Sequence, residues 1–116
     1  MKIGFVSIDE VNRNLAQQLI PPEMQLECCT TGDSAAQIDA WVYDLDQLPA
    51  DLRNRVLLGL TSVAPKQPVI VLSYALPNQL SAPLLRNGVR IDRRLEPRVF
   101  DELKAEILRR NGCGAA

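Results

Sequence analysis

Short, unbroken apolar runs alternate with amphipathic stretches along this chain, and that alternation constrains the fold more than any other feature. Residues 2–8, 24–29, 40–43, 68–72 and 89–92 each read as a strand. In residues 2–8, 40–43 and 68–72 the apolar residues follow one another with little polar interruption, so both faces of the sheet are expected to be covered. Asp9 is placed to cap a helix carrying Val11, Leu15, Ala16, Leu19 and Ile20, which Pro21 and Pro22 stop. Residues 34–39 leave room for a turn or two of helix. Asp51 is placed to cap a helix with Leu52, Val56 and Leu60 on its stripe. Residues 77–87 hold a helix that Pro83 is expected to delay, with Ser81 as cap and Pro83 in the first turn. Segment 77–83 is then expected to be mobile when free, and Gly88 ends the helix. Pro97 opens a last helix with Val99, Phe100, Leu103 and Ile107 on one face.

Strands alternating with helices make a parallel sheet. The expected fold class is α/β: a five-stranded parallel sheet in order 2-1-3-4-5, five helices on both faces, the second shortened. A chain of 116 residues fits one domain, here 1–110, with 111–116 as a flexible tail. Met1 and the Gly114-Ala115-Ala116 end are expected to bound a whole small protein.

Composition removes several classes of function. Apolar residues make up 47% and charged residues 23%, close to the globular average, which excludes disorder and coiled coil. No apolar run reaches the ~18 residues of a membrane span, and the apolar stretch before Asp9 and Glu10 is too short for a secretory signal. Three cysteines, with Cys28 and Cys29 adjacent, form neither a disulfide framework nor a metal spacing. They read as reduced thiols of a cytoplasmic protein, one of the adjacent pair buried. Histidine is absent, which removes histidine triads, histidine metal sites and histidine acid–base catalysis. No Walker or G-x-G-x-x-G pattern follows the first strand, which disfavours a nucleotide-binding or enzymatic domain.

Charge is uneven. Residues 1–85 carry a net −4 and residues 86–116 a net +3. A near-neutral whole argues against direct nucleic-acid binding. The cluster Arg86, Arg90, Arg93, Arg94, Arg98 reads either as a solvated rim flanked by Asp92, Glu96 and Asp101 or as a contact patch.

In parallel sheets of this order, chemistry sits at the carboxyl ends of the strands. Those ends hold Ser7, Ile8, Asp9 and Glu10; then Asp44 and Asp46; then Ser73 and Tyr74; then Arg93 and Arg94. Ser7, Asp44, Ser73 and Arg93 are expected to converge there. Trp41 reads as packing.

These residues resemble, over nearly the whole length, the receiver domain of two-component response regulators, a CheY-like, flavodoxin-like fold. The opening Lys2-Ile3-Gly4-Phe5-Val6-Ser7-Ile8-Asp9-Glu10-Val11-Asn12-Arg13 is similar to the family's first strand, acidic cluster and Asn-Arg helix start. Asp44-Leu45-Asp46-Gln47-Leu48-Pro49 looks like its phospho-acceptor segment, Ser73 like its switch hydroxyl, and Arg93-Arg94-Leu95 like its Lys-Pro-Leu. The resemblance implies Asp44 as phospho-acceptor equivalent, Ser73 and Tyr74 as switch equivalents, and Arg93 as lysine equivalent. It implies a bacterial signalling module that is not an enzyme, with no membrane contact. Its partner would be a histidine kinase, an effector or a second copy of the chain.

The departures point to a degenerate pseudo-receiver. Ser7 and Ile8 stand where the family has its Mg²⁺-holding acidic pair, and an isoleucine offers no oxygen. Arginine is not equivalent to lysine at position 93. Arg94 would not support the family's cis bond. No cofactor is expected on this reading, and contact through Arg90, Arg94 and Arg98 replaces phosphorylation. The alternative is an orthodox receiver, with Mg²⁺ held through Asp9, Glu10 or Asp46. Each residue also has a plainer reading. Asp44 would cap the next turn, Ser73 would satisfy a loop amide, and Tyr74 would cover apolar surface.

Overall fold

The computed structural model describes residues 1–30 and 37–113, the last three as backbone helix only. Five parallel strands, β1 (Lys2–Val6), β2 (Gln25–Cys29), β3 (Ala40–Asp44), β4 (Val69–Leu72) and β5 (Arg90–Asp92), form one sheet in the order β2-β1-β3-β4-β5. Four helices occur among the described residues: α1 (Glu10–Leu19), α2 (Ala50–Ser62), α3 (Asn78–Arg86) and α4 (Pro97–Cys113). The short helix expected at 34–39 falls partly outside the described residues, and 37–39 are not helical. The helix α4 continues through Cys113, past the expected tail boundary at 111, and residues 114–116 lie outside the described residues.

Side chains of a strand point alternately to its two faces, so each strand feeds two cores. Ile3, Phe5, Ala40, Val42, Ile70 and Leu72 pack with Ala16 of α1 and with Val99, Phe100, Leu103 and Ile107 of α4. Val6, Val69 and Val71 pack with Leu57 and Leu60 of α2 and Leu84 of α3. Phe5, Phe100, Val42 and Val71 are fully buried, each worth about 1.5–3 kcal/mol of transfer free energy. Central β4 is buried at all four positions, which is why its apolar run is unbroken.

Several local expectations are corrected. Val11 is 72% exposed, because the first turn of α1 lies past the carboxyl end of β1 and has no sheet beneath it. Asp51 does not cap α2; Pro49 occupies that position, and Asp51 sits in the first turn, where its charge favours the helix dipole. α3 starts at Asn78, with Pro77 as N-cap and Pro83 inside the helix. The Pro77 carbonyl accepts from Leu80 and Ser81, each at 2.9 Å. Leu76 and Leu80 pack against the core, and this burial holds the turn helical ahead of Pro83. The bond missing at Pro83 leaves the carbonyl of exposed Gln79 to water. Neither Cys28 nor Cys29 is fully buried, since β2 is an edge strand.

Two glycines are required by geometry. Gly88 (φ 82°) closes α3: its N–H bonds the Leu85 carbonyl at 3.0 Å, and the Val89 N–H bonds that of Leu84 at 3.0 Å. Gly4 lies opposite Trp41 in register, and a Cβ there would stand 2.5 Å from Trp41 Cε3. The Trp41 indole stacks near Tyr43, and its Nε1 donates to Gln67 Oε1 at 3.0 Å.

Candidate functional site

The carboxyl ends of β1, β3, β4 and β5 meet around a cavity of about 330 Å³. Asp44, Asp46, Asp9 and Asn12 line it together with Arg93, Arg94 and Tyr74, over apolar Leu15, Leu72 and Leu95. Parallel pairing in register brings these ends level: Val6 lies beside Tyr43, and Asp44 beside Leu72, which pairs with Asp92.

Asp44 is 5% exposed, and two side chains hold the same oxygen. Ser7 Oγ donates to Asp44 Oδ2 at 2.7 Å, and Asn12 Nδ2 donates to it at 2.9 Å. Ser7 is fully buried, and its hydroxyl accepts from the Asp9 N–H at 3.1 Å. Asp9 in turn caps α1, with Oδ1 accepting from the Val11 N–H at 3.2 Å. The strand end, the helix cap and the Asp44 carboxylate thus form one hydrogen-bonded chain. Burial pushes the Asp44 carboxyl above the usual carboxylate range. The bonds from Asn12 and Ser7 oppose that rise, and the charges of Asp9 and Asp46 add to it.

Ser73 does not reach Asp44. Its buried hydroxyl donates to Asp46 Oδ1 at 2.7 Å, and the Tyr74 N–H donates to Asp46 Oδ2 at 2.9 Å. Asp46 lies in the 3₁₀ turn Leu45–Gln47 after β3, so its carboxylate ties that turn to the β4–α3 loop. Tyr74 itself is 68% exposed at the rim. Arg93 lines the cavity but forms no ion pair among the described residues. Of the four residues expected to converge, Ser7 meets Asp44 directly and Arg93 shares its cavity, whereas Ser73 is one step removed, through Asp46.

Ile8 is half exposed and supplies no oxygen, and Glu10 lies outside this cavity. Among the described residues no group of three or more acidic, cysteine or histidine side chains is arranged to hold a metal ion. The carboxylates that line the cavity are Asp9, Asp44 and Asp46.

On the neighbouring surface, Arg90 is exposed, but Arg94 and Arg98 are engaged within the chain. Arg94 Nε pairs with Glu96 at 2.8 Å; Arg98 pairs with Glu96 at 3.0 Å and with Asp92 at 3.4 Å. Two pairings at the site were not legible in the sequence: Asn12 as a donor to Asp44, and Asp46 as the partner of Ser73. The available signal for Asn12 was its spacing, one turn after the Asp9 cap on the inward face.

No family model matches the chain, and no curated protein sequence does. Solved structures do. The chain is similar to the ChxR receiver domain from Chlamydia trachomatis, with 18% identity, coverage of 92% of this chain and 97% of that one, and a TM-score of 0.62. It is equally similar to the same domain containing I3C, with 19% identity, 94% and 96% coverage, and a TM-score of 0.62. At these identities the likeness speaks to fold alone, and it agrees with the strand order. In fold, this chain is a response-regulator receiver-like domain.

Proposed function

We propose that this chain is a pseudo-receiver: a signalling module that acts by protein contact without normal aspartyl phosphorylation. One observation carries the reading. The groups a phosphoryl–metal assembly would need are already engaged with one another: Ser7 and Asn12 with Asp44, and Ser73 with Asp46. Phosphoryl transfer depends on positioning and charge neutralisation, and a site whose side chains are tied to one another, with no acidic pair at the end of β1 and no lysine, offers little of either. On this reading the module needs no cofactor and is not an enzyme. Its partner is a protein of a cytoplasmic signalling pathway. No described helix is long and apolar enough to cross a membrane. The contact surface is the face of α3, β5 and α4, where Arg90 is available and Arg94 and Arg98 sit in exposed, weakly held pairs.

A second reading has one observation in its favour. Asp44 Oδ1 accepts no hydrogen bond among the described residues, yet it is not among the fully buried unpartnered atoms, so it faces the cavity. An orthodox receiver would use that oxygen as its acceptor. Incubation with a small phosphodonor and Mg²⁺, followed by intact-mass measurement, separates the two. The expected result is no stoichiometric mass gain. A gain that disappears in Asp44→Asn would establish the orthodox reading.

A further inference from the structure

Asp92 Oδ2 is fully buried and has no hydrogen-bond partner among the described residues. A buried acceptor without a donor calls for a specific explanation. Asp92 ends β5, and its other oxygen receives only a long bond, from Arg98 Nη2 at 3.4 Å. Arg98 lies in the first turn of α4, and Glu102 follows it by one helical turn on the same face. That spacing sets the half-buried Glu102 carboxyl within hydrogen-bonding reach of Asp92. Two carboxylates this close repel when both are ionised, and a single proton between them would give the orphan oxygen its missing donor.

We propose that Asp92 and Glu102 form a proton-operated fastener between β5 and α4. In mild acid Glu102 takes up one proton and donates its O–H to Asp92 Oδ2. As pH rises Glu102 gives up that proton, the oxygen is left without a donor, and the contact loosens. The charged groups acting on the pair are Arg90 on β5 and Arg98 on α4; Glu106, Arg109 and Arg110 of α4 line the same cavity as Glu102, with Glu106 paired to both arginines. From β4 comes only backbone, the Ser73 N–H bonding the Asp92 carbonyl at 2.9 Å. Glu96 competes for Arg98 at 3.0 Å, so Arg98 neutralises Asp92 only in part. Burial and the Asp92 charge hold the Glu102 carboxyl above its ordinary range, against the pull of Arg90 and Arg98. A carboxyl raised in the folded state binds its proton more tightly than in the unfolded chain. Its stabilising effect is therefore present in acid and lost as pH rises through the folded-state value. The same proton removes a negative charge from the face carrying Arg90, Arg94 and Arg98, making it more cationic in mild acid.

Glu102→Gln gives Asp92 Oδ2 a permanent N–H donor and removes the titration. Thermal midpoints of the full chain and of Glu102→Gln are compared from about pH 4.5 to about pH 7.5, spanning the region above the ordinary glutamate range. The variant is expected to be more stable by a few degrees at neutral pH, with the difference vanishing in acid. Asp44 is common to both proteins and cancels. Carbon NMR of the wild-type carboxyls is the second measurement and does not depend on the variant folding. Glu102 is expected to titrate above the ordinary glutamate range. Parallel pH profiles, or Glu102 titrating in the ordinary range, would overturn the proposal.

Discussion

Ser73 donates its hydroxyl to Asp46 at 2.7 Å, and not to Asp44, the acid that ends β3. The two loops that flank the cavity are thereby joined by a single carboxylate, which also holds the Tyr74 amide at 2.9 Å. A bidentate carboxylate across two loops restricts both, because releasing either donor leaves a charged acceptor under-satisfied.

Removing that carboxylate is expected to loosen the β4–α3 loop. Asp46→Ala should cost about 1.5–3 kcal/mol, the scale of hydrogen bonds to a charged group. It should also raise amide exchange at Tyr74. Exchange measured by NMR checks this; an unchanged Tyr74 amide would mean that the loop is held by other contacts.

Asp44→Asn is expected to stabilise the fold at neutral pH by about 0.5–2 kcal/mol, the usual gain from a single stabilising substitution. The Asp44 carboxyl is raised by burial, so its ionised form is penalised in the folded state. The penalty is absent in acid, below both folded and unfolded values, and develops as pH rises through them. An asparagine oxygen can still accept from Ser7 and Asn12. Denaturant midpoints at neutral and mildly acidic pH test the sign: the gain should shrink in acid.

Gly4→Ala is expected to destabilise by about 1–3 kcal/mol, the range for overpacking. The added methyl would meet Trp41 Cε3 at 2.5 Å, and the indole is tied to Gln67 through Nε1. Tryptophan fluorescence together with urea unfolding reports both the displacement and the loss. An unshifted emission with full stability would show that the indole moves freely.

Arg94→Glu is expected to weaken partner binding or self-association with the fold intact. Arg94 is 68% exposed, and its ion-pair partner among the described residues, Glu96, is a surface group. Sedimentation or pull-down reads the first effect and circular dichroism the second. Arg98→Glu is a poorer probe, because Arg98 is the donor to Asp92 and its reversal would add a third acid beside Asp92 and Glu102. Unchanged association in Arg94→Glu would move the working surface toward α1.

Legibility from sequence followed the range of the interactions. The apolar run Val69-Ile70-Val71-Leu72 fills a central strand covered on both faces, and nothing distant is needed to read it. The Asp9 cap and the Gly88 stop are local events within one turn of the chain, and both were readable. The start of α3 was not. Pro83 argued for a late start on local grounds, but burial of Leu76 and Leu80 against α2 and β4 outweighed one lost hydrogen bond. Val11 fits the helical stripe by spacing, yet the sheet beneath it has already ended. At the site, the strand-end acid and hydroxyls were legible as a set, but their pairing was not.

Patterning alone determined the class of the fold, its five strands in parallel order and the edge at which the polar residues gather. Hydrophobic period and turn residues act over a few positions and survive any choice of partner. The tertiary structure decided the partners: that Ser7 and Asn12 take Asp44, that Asp46 takes Ser73, that Gly4 makes room for Trp41, and that Asp92 Oδ2 is buried without a donor among the described residues. Those choices join residues up to 37 positions apart through bonds of about 3 Å, and they turn on sub-ångström differences in how neighbouring strands end. A one-dimensional pattern carries the period of a side chain, whereas the direction of a hydroxyl or a carboxylate is set only once the packed sheet fixes its backbone.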